Sequence, residues 1–147
     1  MHGTPGKWIL SLASMALAAD AGAAGCILKP LHPAGETLQL RGVGQVSLGV
    51  ADDGARPRAW QGPIAAGACT LDLAIIEAPF FSAHSGAMFV TTYSGALRTV
   101  SLVDLGACKI AWQSTPFTGT VRAVPGGLQL GARRVGLDAQ CLPQARK

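Results

Sequence analysis

Aromatic residues are scarce in this chain of 147 residues: four Phe, three Trp and one Tyr make up 5% of it. Any core must therefore be built mainly from Val, Leu and Ile. Charge is also sparse, at 14%, and the basic residues are scattered. No Lys/Arg run is interleaved with aromatics, so no nucleic-acid footprint is present. Histidine occurs three times. There is no Gly-x-Ser-x-Gly elbow, no Gly-rich phosphate loop and no Cys-x-x-Cys. Their absence removes the sequence signatures of a hydrolase nucleophile, a nucleotide site, and a zinc or thioredoxin-like redox site. The apolar run Trp8–Ala19 is too short to span a bilayer as a helix.

Backbone punctuation is plentiful. Nineteen Gly and nine Pro interrupt the chain every few residues, which favours many short strands over long helices. Period-two stretches agree. Thr37–Arg41 alternates with Leu38 and Leu40 on one side, and Val46, Leu48 and Val50 alternate after Gly42 and Gly44. Cys69–Glu77 reads as a central strand stopped by Pro79, with Phe80-Phe81 covering an open end of the core. Gly86–Ser114 reads as a three-strand meander. Met88–Tyr93 carries β-branched and aromatic residues on both faces, as a strand covered on both sides does. Ser94-Gly95-Ala96 turns the chain into Arg98–Asp104. Leu105-Gly106-Ala107 turns it into Lys109–Ser114, with Ile110 and Trp112 inward. Thr118–Val124 and Leu128–Leu130 follow, and Arg133-Arg134 reads as a solvated loop. The prediction is one all-β domain of short antiparallel strands, in meander or propeller-blade-like sheets, with at most one short helix.

Residues 1–24 have the form of a secretory signal: Lys7 as the basic flank, the short apolar run, then small residues up to Ala24. The domain is then 25–147, with no membrane span in the mature chain. Removing Lys7 and Asp20 leaves eleven basic against seven acidic residues, and the balance stays at +4. A lipoprotein signal is the alternative, since Ala23-Ala24-Gly25 precedes Cys26. The even count of Cys26, Cys69, Cys108 and Cys141 points instead to two disulfides in an exported chain. Three pairings exist. Cys26–Cys69 with Cys108–Cys141 is the expected one, because each bridge would then staple one half of the chain.

Candidates for catalysis are few. His84, in Ser82-Ala83-His84-Ser85, is a general base beside a hydroxyl or a plain loop histidine, and His32 sits between Leu31 and Pro33. Asp52-Asp53 lacks the further acids of a calcium loop and reads as turn chemistry. Asp72 and Glu77, five apart, fall on opposite faces of a regular strand. The expectation is a binding protein and not an enzyme, with no cofactor and no metal.

The second half resembles the immunity proteins that protect bacteria from peptidoglycan amidases delivered by type VI secretion, the family paired with the first amidase class. The resemblance runs through Tyr93-Ser94-Gly95, Val100-Ser101, Asp104, Cys108-Lys109 and Gly127-Leu128-Gln129-Leu130-Gly131. The positions of Cys26, Cys69 and Cys141 also fit. It implies a periplasmic inhibitor whose partner is a cognate amidase with a Cys–His site in a cleft. The inhibitor would push a hairpin loop into that cleft, here Tyr93, Ser94, Gly95, Ala96, Leu97 and Arg98. Arg98 would meet an acidic rim. Ala96 and Leu97 stand where the family carries small hydroxyl residues, so shape is the expected contribution of this tip. A different hydrolase inhibitor, such as a lysozyme inhibitor, or a small binding module is the alternative.

Overall fold

The computed structural model describes residues 2–3 and 25–144. The expected signal segment, apart from residues 2–3, and the last residues of the basic tail lie outside the described residues. The strands are β1 (Lys29–Leu31), β2 (Thr37–Leu40), β3 (Gly44–Ser47), β4 (Ala59–Trp60), β5 (Ile64–Ala66), β6 (Cys69–Leu71), β7 (Ile75–Ser82), β8 (Ala87–Ser94), β9 (Leu97–Asp104), β10 (Lys109–Gln113), β11 (Val121–Val124), β12 (Gly127–Leu130) and β13 (Arg133–Gly136). No helix forms among the described residues. The all-β domain of short antiparallel strands expected from Gly and Pro spacing is the fold adopted.

Among the described residues three antiparallel sheets form. The six-stranded central sheet runs β1-β7-β8-β9-β10, with β4 also paired to β7. A four-stranded sheet, β2-β3-β5-β6, packs on one face, and a three-stranded sheet, β11-β12-β13, on the other. Each interface is a core. Met88 and Val90 of β8 and Val103 of β9 pack against Leu38, Leu40, Val46 and Ile64. Phe89 of β8 and Val100 and Leu102 of β9 pack against Phe117, Leu128 and Leu130. The period of two thus feeds two cores from one strand, and Met88–Tyr93 is indeed covered on both faces.

The same alternation corrects the reading of Phe80-Phe81. They lie inside β7, not over an open end: Phe80 enters the first core and Phe81 the second. Pro79 does not stop the strand. The β7–β8 register shifts between Glu77 and Phe80, and Pro79 sits in that irregularity, where a missing N–H costs the ladder least. Cys69–Glu77 is not one strand. The link 72–74 separates β6 from β7, which belong to different sheets. Val50 is 63% exposed, because Gly49 at φ +86° breaks the extended period after Leu48. Ile110 also turns outward. A bulge lies between Ile110 and Trp112, so Ile110 pairs with Val103 on one face and Trp112 with Leu102 on the other. Arg133-Arg134 belongs to β13 and not to a loop.

The disulfides are Cys26–Cys141 and Cys69–Cys108, not the pairing expected from sequence. The halves of the chain are not separate modules, which is why the expectation failed. Cys69 on β6 lies over the turn that joins β9 to β10, and that turn presents Cys108 at φ 54°. Cys26 meets Cys141 beside the second core.

Candidate functional site

β8 and β9 pair along their whole lengths, from Ala87↔Asp104 to Ser94↔Leu97. Gly95 and Ala96 form the two-residue connection. Gly95 has φ +60° and Ala96 has no positive φ, the pattern of a type II′ hairpin turn with Gly first. This turn type matches the natural twist of the paired strands. Space at Gly95 is open, since a Cβ added there would meet nothing within 4 Å; only the backbone conformation demands Gly there.

Neighbouring chain ends just short of the tip. On one side the last register partner is Ile75, opposite Tyr93. On the other, Phe117 exchanges two backbone hydrogen bonds with Arg98: Arg98 N–H donates at 2.8 Å and Phe117 N–H donates back at 2.9 Å. The Ser94–Leu97 pair and the turn therefore stand clear by about 7 Å, two residue steps of a strand. Register divides the six expected residues between two faces. Tyr93 and Arg98 share the face of Thr91 and Val100, while Ser94 and Leu97 share the opposite one. Leu97 is 50% exposed. The result is a narrow two-sided wedge.

Arg98 has an acidic partner within the chain. Its guanidinium Nε is ion-paired with the Glu77 carboxylate across the sheet. Both groups are partly exposed, so the pair adds modestly to stability, within roughly 1 kcal/mol. It also braces the base of the wedge. The pocket beside this pair, lined by Pro79, Thr91 and Thr120 among others, has about 130 Å³, below the roughly 300 Å³ at which small-ligand pockets begin. Glu77, Ile75 and Phe117 complete the site and were not legible in sequence. Arg98 and Glu77 are 21 residues apart, and only strand register brings them together.

The remaining candidates do not converge on this site. His84 Nδ1 lies 3.3 Å from the Ser85 carbonyl oxygen, not from a hydroxyl. His32 is exposed in the link after β1. Asp72 is exposed in the 72–74 link, while Glu77 is held by Arg98. Asp52 and Asp53 organise a loop. Asp52 Oδ1 accepts the N–H groups of Arg58 at 3.1 Å and Ala59 at 3.2 Å, and Asp53 Oδ1 accepts that of Ala55 at 2.9 Å. Donation from Arg58 and Ala59 holds the Asp52 carboxyl below its ordinary pKa.

No family model, no curated protein and no solved structure matches this chain.

Proposed function

We propose that this chain is an exported, periplasmic immunity protein that binds and inhibits a peptidoglycan amidase delivered by type VI secretion. The Ser94–Leu97 wedge enters the amidase cleft and covers its Cys–His pair by shape. The observation that carries this reading is the exposed Leu97 beside a two-residue turn, in a hairpin whose base is clamped twice, by the Phe117 backbone and by Glu77. A hairpin held this way loses little freedom on binding, so most of its contact energy is retained as affinity. The disulfides support an oxidising, extracytoplasmic setting.

Calorimetric titration with the cognate amidase tests the proposal. Leu97→Glu and Ala96→Trp leave the Gly95 backbone untouched, and each is expected to weaken binding by about 2 kcal/mol or more. Gln45→Ala, exposed on β3, is expected to change nothing. Tip variants that bind and inhibit like the parent would show that the wedge is not the plug. Inhibition of a lysozyme but not of the amidase would favour the other inhibitor class.

A further inference from the structure

A second site lies at the opposite end of β8, roughly 25 Å along the strand from the wedge. It is a cavity of about 420 Å³. Its polar lining is Lys29 from β1, Gln39 and Arg41 from β2 and the residue after it, and Ser82, His84 and Ser85 at the β7–β8 turn; no carboxylate lines it. Lys29 and Ser82 are register partners, so their side chains leave the same face of the sheet. The Arg41 carbonyl accepts the Gly86 N–H at 2.7 Å, which fastens the β2–β3 turn to the β7–β8 turn. The two turns touch because Gly42 has no side chain: a Cβ there would lie 2.2 Å from Ser85 Oγ and 2.8 Å from Gly86 N. Among the described residues neither Lys29 nor Arg41 has an ion-pair partner. Two cationic residues with no ion-pair partner among the described residues therefore line one concave space, on elements fixed to each other through backbone.

We propose that this cavity binds a phosphate monoester. Lys29 and Arg41 bring two positive charges between them, which match a phosphate dianion, and the guanidinium fork suits its oxygens. The Ser82 and Ser85 hydroxyls and the Gln39 amide offer further donors. The volume falls within the roughly 300–1,000 Å³ of small-ligand pockets, so it accommodates a carbon skeleton as well as the phosphate. Ile27 and Leu31 provide an apolar wall for that skeleton. The site shares no residue with the wedge, so its failure would leave the inhibitor reading untouched.

The test is an NMR titration of the isotope-labelled protein at constant ionic strength with glycerol phosphate, inorganic phosphate and glycerate. Glycerol phosphate is expected to give saturable shifts confined to 29–31, 39–42 and 82–86, and to bind more tightly than the other two probes. Arg41→Ala is expected to weaken it about tenfold or more, since a hydrogen bond to a charged group is lost. Arg41→Glu and, independently, Ser85→Asp are expected to abolish binding with the rest of the spectrum unchanged. Shifts spread over exposed cations such as Arg122 and Arg134, equal binding of glycerate or inorganic phosphate, or retained binding in Arg41→Glu would each overturn the proposal.

Discussion

A Cβ on Gly127 would lie 2.1 Å from the Val135 carbonyl oxygen, and one on Gly131 2.2 Å from that of Thr118. Between them Leu128 and Leu130 are fully buried in the second core. Gly127-Leu128-Gln129-Leu130-Gly131, one of the segments that carries the family resemblance, is thus explained by packing: two residues fill the core and two let backbones approach. Gly95 is a different case, needing Gly for its φ and not for space. Gly127→Ala is therefore expected to destabilise the fold by about 3 kcal/mol or more, through overpacking against backbone that cannot yield. Gly95→Ala should cost only about 1–2 kcal/mol. Urea unfolding midpoints of the two variants check the ranking.

The loop between Asp52 and β4 shows an element built by a side chain instead of a ladder. Asp52 reaches across six and seven residues to the N–H groups of Arg58 and Ala59. Those bonds favour the charged carboxylate and lower its pKa in the folded state. A lowered folded pKa means that Asp52 contributes stability above the ordinary carboxyl range, and that the contribution is lost as pH falls through the lowered value. The amide resonances of Arg58 and Ala59 are expected to titrate with a midpoint below the ordinary Asp value. Asp52→Asn should remove that titration without unfolding the sheets. β10 shows the opposite dependence, on its neighbour: its bulge is visible only once β9 is beside it, and it sends Ile110 and Trp112 to opposite faces.

Across the whole molecule the disulfides are nested. Cys26–Cys141 closes a separation of 115 residues and Cys69–Cys108 one of 39 inside it. Taken singly, chain entropy assigns them about 5 and about 4 kcal/mol; nesting makes their joint effect smaller than the sum. The outer bridge joins the two ends of the domain beside the second core, and the inner one links the four-stranded sheet to the central meander across the first. Non-reducing peptide mapping is expected to recover these two linkages. Replacing Cys26 and Cys141 together by Ser should lower stability by roughly 2–5 kcal/mol in thermal or urea unfolding, with the sheets retained at low temperature.

Local chemistry by itself determined the fold class, the meander and the turn at Gly95, because alternation and Gly placement act over a few residues. The double burial of Met88–Tyr93 was legible for the same reason: its apolar residues occupy both faces. The tip residues were legible as a turn, because Ser94-Gly95-Ala96 interrupts two alternating stretches. Only the tertiary structure decided which cysteines meet, that β7 continues past Pro79, and that Arg98 is held by Glu77. It also brought Lys29, Arg41 and His84 around one cavity. Each of these depends on which strands become neighbours and in what register, and register is set by burial on two faces at once, a property of the assembled sheets and not of any one segment.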